Sequence, residues 1–305
     1  MSEKKSDRVG IILAGGLGSR LYPTTLCVSK HLLPVYDKPM IYYPLSTLML
    51  LGIRKILIIS KKNDLDLFKK LLGDGSNLGI DLKYQIQEKP NGIAEALIIS
   101  KKFTKLKKIC LILGDNIFYG SRLIKKLSEA SKSNKNTIIT YSVKNPKEYG
   151  VLYLDEKNKI KNIVEKPKSP ISNLAVTGIY FYNNEVIKIV EKQKPSKRNE
   201  LEITDLNLTL LRKKKLNYIH LDRGNTWLDA GSVDNYLEVS TIISIMVKRQ
   251  GLNIGSIEEA ALFNGWINNK SFNNIINKQN IDSPYYNYLK TLKKIFKNMI
   301  SFLKI

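Results

Sequence analysis

Residue types that hold metals or carry redox chemistry are scarce in this chain. Of its 305 residues, two are cysteine and two are histidine. Cys27 and Cys110 stand far apart with no CxxC pair. That excludes a disulfide framework and a cysteine zinc site, and both thiols fit a reducing cytoplasm. Cys110 lies in the apolar run 109–113 and is expected in the core, whereas Cys27 lies in a loop. His31 and His220 have no partner at metal-ligand spacing and are read as structural. No Ser-His-Asp or Cys-His set for nucleophilic catalysis is apparent. No apolar run reaches about 18 residues, so no membrane span is expected. The start, MSEKKSDR, is charged and lacks an apolar segment, so no secretory signal is read and a cytoplasmic protein is expected. The Walker A pattern GxxxxGK[ST] is also missing.

Positive charge is abundant. Lysine and arginine number 50 against 27 acidic residues, a net charge of +23 and a sequence pI near 9.7. One reading is a nucleic-acid or anionic-membrane partner. The lysines are dispersed, however, in pairs such as Lys61-Lys62, Lys69-Lys70 and Lys107-Lys108. No RRM, zinc-finger or helix-turn-helix pattern interleaves with them. The excess is therefore read as lysine-heavy solvated faces, with no specific nucleic-acid or membrane partner. At low salt it attracts anionic substrates in general.

With 43% hydrophobic residues the chain can bury a substantial core. Apolar runs at 9–14, 55–60, 82–87, 109–113, 137–143, 150–154, 160–165, 176–182 and 217–221 read as strands. Amphipathic segments at 39–51, 65–71, 93–101, 122–131, 184–192, 203–213 and 232–249 read as helices, with Pro44 kinking the first or delaying its start. This alternation predicts an α/β fold with a Rossmann-like, doubly wound mixed sheet over residues 1–250. Asn-rich short helical pieces follow, so 251–305 are read as a C-terminal helical appendage. Its end, LKKIFKNMISFLKI, puts Leu292, Ile295, Phe296, Met299 and Leu303 on one helical face, expected to pack on protein rather than lipid.

The strand at 9–14 runs into Gly15-Gly16-Leu17-Gly18-Ser19-Arg20. Glycines at a strand-to-helix turn let backbone N–H groups approach an anion, and a following helix adds its positive end. Leu21 stands where the dinucleotide fingerprint needs its third glycine, so that fingerprint is incomplete. Arg20 and Lys30 add two cations. Asp115 in LILGDNIFYG follows an apolar strand, where open α/β sheets bind ligands, and a second aspartate, Asp229, stands in GNTWLDAG.

The stretch GGLGSRLYPTT, then SKHLLPVYDKPMIYYPLS, closely resembles the sugar-1-phosphate nucleotidyltransferases, over roughly residues 8–290. The resemblance implies that a sugar 1-phosphate attacks the α-phosphorus of a nucleoside triphosphate and pyrophosphate leaves. Arg20 and Lys30 are then the catalytic phosphate clamps, and Asp115 and Asp229 jointly hold Mg2+. Leu13, Gly15, Gly16, Gly18, Ser19, Gln87, Gly92 and Asp115 would bind the nucleotide. Tyr149, Gly150, Glu165, Lys166, Val176, Arg198 and Trp227 would bind the sugar phosphate. The implied substrates are dTTP and α-D-glucose 1-phosphate, giving dTDP-glucose for deoxysugars such as rhamnose. A homotetramer with feedback by a dTDP-sugar is also implied. Asn91 and Glu95 replace the Asp and Gln of the usual PDGLAQA loop, and Asn199 replaces a Gly. UTP, another sugar phosphate, or a non-catalytic nucleotide-sugar sensor remain alternatives.

Overall fold

The computed structural model describes residues 6–279 and 281–302. Its strands are β1 (Arg8–Ala14), β2 (Pro34–Val35), β3 (Lys38–Pro39), β4 (Lys55–Ser60), β5 (Asp81–Ile86), β6 (Lys108–Leu113), β7 (Asn116–Gly120), β8 (Asn136–Ser142), β9 (Gly150–Leu154), β10 (Ile160–Glu165), β11 (Leu174–Tyr182), β12 (Leu216–Leu221) and β13 (Asn225–Asp229). Its α-helices are α1 (Tyr42–Leu50), α2 (Lys62–Leu72), α3 (Glu95–Ile99), α4 (Lys101–Thr104), α5 (Leu123–Lys132), α6 (Val186–Val190), α7 (Ile203–Arg212), α8 (Val233–Gln250), α9 (Ile257–Phe263), α10 (Asn269–Gln279) and α11 (Pro284–Phe302).

A nine-stranded mixed sheet forms the centre, with the path β10-β9-β11-β6-β1-β4-β5, while β8 joins β11 to β12. The segment β6-β1-β4-β5 is wholly parallel. Strands buried on both faces read as continuous apolar runs. In β1, Val9 and Ile11 enter one core cluster while Ile12 and Ala14 enter the other. The same alternation recurs in β4 and β6, where Cys110 is fully buried. Each such Ile or Leu contributes about 1.5–3 kcal/mol by leaving water. Helices α3, α6 and α7 cover one face; α1, α2, α5 and the C-terminal helices cover the other. The expected doubly wound sheet is thus present.

Helix α1 begins later than the apolar pattern suggested. Pro44 falls in its first turn, where the missing N–H has no intrahelical partner to lose. The helix expected at 93–101 is divided at Ser100 into α3 and α4. Two small ladders were not anticipated, β2-β3 and β7-β13. Their strands are short and partly polar, and β7 meets β13 only through tertiary packing.

Helices α9 and α11 join the main cluster through Ile257, Ala260, Ala261, Tyr285, Leu289 and Leu292. A buried polar cluster ties them to the β2-β3 hairpin. The Lys38 ammonium pairs with Asp37 and lies 5.0 Å and 5.4 Å from the ring centres of Tyr43 and Tyr285. Tyr285 in turn donates its hydroxyl to buried Glu258. The side chains of Ile295, Phe296 and Met299, and Leu303 altogether, lie outside the described residues. Among the described residues no helix is long and apolar enough to cross a membrane.

Candidate active site

The glycine loop leaves β1 at its carboxyl end, the edge at which open α/β sheets place ligands. Gly15 has no room for a side chain, because a Cβ there would strike the Gln87 amide oxygen. Gly18 is left-handed (φ 66°) and passes close to Thr25, whose hydroxyl donates to the Gly18 carbonyl at 2.8 Å. The helix expected after this loop is not there. Ser19–Leu21 form a single 3-10 turn, too short to carry a macrodipole. The reason is local: Tyr22 precedes Pro23, and a pre-proline residue is pushed to extended backbone, here ψ 146°. Anion binding at this loop therefore rests on backbone N–H groups and side-chain cations.

Lys30 supplies one of those cations from below. Its aliphatic stem runs under Gly16, and its ammonium pairs with the Asp115 carboxylate, both side chains 12% exposed. Asp115 follows β6 by two residues. Gly114 is needed between them because His31 packs against its Cα: a Cβ would lie 2.5 Å from His31 Cδ2. His31 is buried and hydrogen-bonded to Ser29 at 3.1 Å. Burial, with Lys30 adjacent, lowers its pKa to about 3, so it stays neutral.

The unforeseen β7-β13 ladder pairs Asp229 with Asn116, and the Ala230 N–H donates to the Asp115 carbonyl at 3.1 Å. Two aspartates distant in sequence thereby become neighbours. Burial works against the Asp115 carboxylate, but Lys30 and the Asn116 amide outweigh it and hold its pKa well below the usual range. Asp229 is pushed the other way, up to about 7, by burial and by the charge of Asp115. Among the described residues its carboxylate has neither a hydrogen bond nor an ion pair. Two facing carboxylates, one short of positive charge, suit a divalent cation in donor type. Among the described residues no third His, Cys, Asp or Glu completes a protein-only site, so other oxygens would have to fill the shell.

Arg20 is half-exposed and lies 3.6 Å from Glu148. Its Nη2 and the Asp229 carboxylate both border Gly231, where a Cβ would sit 2.7 Å from the guanidinium. Leu13 accepts the Gly114 N–H at 2.9 Å and couples the glycine loop to the Asp115 loop. Ser19 opens the 3-10 turn and is exposed.

On the nucleotide side, buried Gln87 ends β5 and donates from Nε2 to Glu95 at 2.7 Å. Gly92 (φ 101°) presses against the Leu201 backbone, leaving no space for a side chain. On the other side, Gly150 opposes Glu165 in the β9-β10 ladder, and Glu165 accepts the Thr204 hydroxyl at 2.6 Å. Val176 borders Gly150 from β11. Lys166 is exposed and left-handed (φ 44°), its N–H donating to the Tyr149 carbonyl at 3.0 Å.

Two assigned side chains are engaged differently from the sequence reading. Arg198 was expected to reach a phosphate. Its guanidinium instead grips Glu202 through Nε at 3.1 Å and Nη2 at 2.9 Å, with Glu165 at 3.8 Å. The loop carrying it turns through Asn199 at φ 59°, a conformation Asn tolerates in place of Gly. Trp227 was assigned to the pocket wall but is buried. Its indole N–H donates to Asn116 Oδ1 at 2.6 Å, and Tyr149 packs edge-on against it at 5.0 Å. It supports Asn116 and Tyr149 from behind. Asn116, Glu148, Thr204 and Gly231 were not named as site residues. Each adjoins a quoted motif, but its contact is tertiary.

These contacts form one continuous series, from Gln87 through Gly15, Lys30, Asp115 and Asp229 to Tyr149, Gly150 and Glu165. Residues 9–244 match the model of the nucleotidyl transferase family. A glucose-1-phosphate thymidylyltransferase of Neisseria meningitidis is 46% identical, over 93% of this chain and 99% of that protein. A solved Bacillus anthracis structure, provisionally named a glucose-1-phosphate thymidylyltransferase and complexed with a sucrose, is 37% identical with TM-score 0.74. The match covers 83% of this chain and 99% of that one. A UDP-glucose pyrophosphorylase complexed with UDP-glucose is 26% identical with TM-score 0.69, covering 78% and 99%. The chain belongs to the nucleotidyl transferase family, alongside its glucose-1-phosphate thymidylyltransferase relatives.

Proposed function

We propose that this enzyme transfers a thymidylyl group from dTTP to α-D-glucose 1-phosphate, giving dTDP-glucose and pyrophosphate. The observation that carries the reading is the contact series just described, with a base-sized recess at Gln87, a charged centre at Lys30, Asp115 and Asp229, and hydroxyl-binding groups at Glu165 and Gly150. A sugar-phosphate oxygen bonds to the α-phosphorus as the bond to the pyrophosphate oxygen breaks. No covalent side chain is needed, so positioning and charge neutralisation supply the catalysis.

Lys30, fixed by Asp115, holds phosphate oxygens as a point charge. Arg20, on a mobile-length side chain at the rim, swings from Glu148 to the departing pyrophosphate. Backbone N–H groups of the glycine loop cradle the triphosphate. Glu165, steadied by Thr204, accepts hydroxyls of the hexose, and Tyr149 walls the sugar. Asp115 and Asp229 would hold Mg2+, which when bound neutralises charge on the phosphate oxygens. A homotetramer, feedback by a dTDP-sugar and a place in deoxysugar supply belong to the same reading.

The test is pyrophosphate release from dTTP and glucose 1-phosphate, titrated with Mg2+. Chelator should abolish it. Asp115→Asn and Asp229→Asn should each lower the rate and raise the Mg2+ requirement. Because the Asp229 carboxyl keeps its proton up to about pH 7, a cation must displace that proton below this pH. The Mg2+ requirement should therefore fall as pH rises from about 6 to about 8, and Asp229→Asn should flatten that dependence. A rate indifferent to chelator, or to one of the two aspartates, would remove the two-carboxylate metal site.

A further inference from the structure

We infer that Glu95 sets the base preference of the nucleotide site by fixing which way round the Gln87 amide faces the base. The inference rests on Gln87 as the base reader. Gln87 Nε2 donates to Glu95 Oε2 at 2.7 Å, and Asn91 Nδ2 donates to Glu95 Oε1 at 2.8 Å. Both carboxylate oxygens of Glu95 are thus used to anchor two amides. A carboxylate only accepts, so the Gln87 amide must turn its NH2 towards Glu95. Its oxygen is then directed to Gly15, against which it packs so closely that a side chain there would collide. One N–H and the oxygen remain for a ligand, in a fixed order.

That order carries information. A side-chain amide can pair with either kind of pyrimidine, depending on which end meets ring atom N3. Thymine and uracil present a donor at N3 next to a carbonyl acceptor. Cytosine presents an acceptor at N3 next to an amino donor. With the base held in place by the loop at Gly92 and by the glycine loop, one amide orientation suits the imide bases and its inverse suits cytosine. Glu95 permits one orientation. A glutamine at position 95 could donate or accept, and the amide at 87 would be free to invert. Glu95 stands in the first turn of α3, and Asn91 precedes it on the loop whose carbonyl accepts the Leu201 N–H at 2.6 Å, so the anchor is part of a fixed backbone.

The experiment compares kcat/KM for dTTP, UTP and dCTP, each with glucose 1-phosphate, in the full-length enzyme and in Glu95→Gln. A mismatched hydrogen-bonding site typically rejects the wrong ligand by several powers of ten. The dTTP-to-dCTP ratio should fall at least tenfold in Glu95→Gln, with the change carried mainly in KM. Glu95→Asp, which still only accepts, should retain more of the ratio. Asn91→Ala, which leaves Glu95 present but loosens its anchor, should lower the ratio less, and carries the test if Glu95→Gln does not fold. Gln87→Ala separates the two levels of the reading. An unchanged ratio in Glu95→Gln with a collapsed ratio in Gln87→Ala would overturn the role of Glu95 and leave Gln87 as base reader. An unchanged ratio in both would overturn the base-reader assignment, and this inference with it.

Discussion

Lys30→Ala should lower turnover about a hundredfold or more, as loss of one preorganised charge-stabilising donor does. Lys30 lies beneath the glycine loop and against Asp115, so its charge is held where phosphate oxygens would lie. The sequence alone suggested that such a variant keeps its fold, because the side chain serves the ligand. The structure changes that expectation. Lys30 and Asp115 form a largely buried pair, and removing one partner leaves the other charge uncompensated, at about 3–5 kcal/mol. Lys30→Ala should therefore lose both rate and stability. The double variant Lys30→Ala with Asp115→Asn should regain stability but no activity. Initial rates and urea unfolding of the three proteins decide this. Near-native turnover in Lys30→Ala would remove the phosphate clamp, and unchanged stability would remove the pair's structural role.

Arg8→Met should cost about 4 kcal/mol of stability, the scale expected for breaking a buried hydrogen-bonded network. Arg8 is 2% exposed, and each of its five side-chain N–H groups meets a carbonyl oxygen. Nε donates to Ser131 at 2.6 Å, Nη1 to Ile109 and Tyr182 at 3.0 and 2.9 Å, and Nη2 to Ala130 and Ser133 at 3.4 and 2.9 Å. Three of those carbonyls close the carboxyl end of α5, where a cation also meets the negative end of the helix. The other two belong to β6 and β11. One side chain thus ties a helix terminus to two central strands, and its loss leaves several buried acceptors without donors. At about 2–4 °C per kcal/mol, the melting temperature should drop by about 8–16 °C. Arg8→Lys keeps the charge but cannot serve five carbonyls in a plane, so it should recover only part of the loss. A melting temperature within about 2 °C of the parent for Arg8→Met would contradict this.

Neither effect was legible in the chain. Arg8 stands beside a charged terminus and reads as a surface residue; only the closure of α5 onto β1 brings carbonyls to it. The sheet was far more legible, because β1, β4 and β6 are buried on both faces and show as uninterrupted apolar runs. The β7-β13 ladder was not, since NIFYG and NTWLD are short and mix polar with apolar residues. That ladder is what pairs Asp115 with Asp229, so the pairing came from resemblance and not from spacing. The glycine loop was legible as an anion cradle, but the helix behind it was not real: the Tyr22-Pro23 step turns the chain away after one 3-10 turn. Arg198 and Trp227 were placed in the right region from their motifs. Their partners, Glu202 and Asn116, are set by tertiary packing, which sequence spacing does not encode. Glu95 first registered as a departure from a familiar loop, and the bridge it makes between Gln87 and Asn91 gives that departure a physical meaning.

The central claim is transfer of the α-phosphoryl group to a sugar phosphate. It is tested most directly with dTTP labelled at its α-phosphorus, incubated with glucose 1-phosphate, Mg2+ and the enzyme, and the products separated. The expected result is label in dTDP-glucose, with an equal amount of unlabelled pyrophosphate, and no label transfer when the sugar phosphate is omitted. Label appearing in dTMP instead, or remaining in dTTP while the protein binds both substrates, would contradict it.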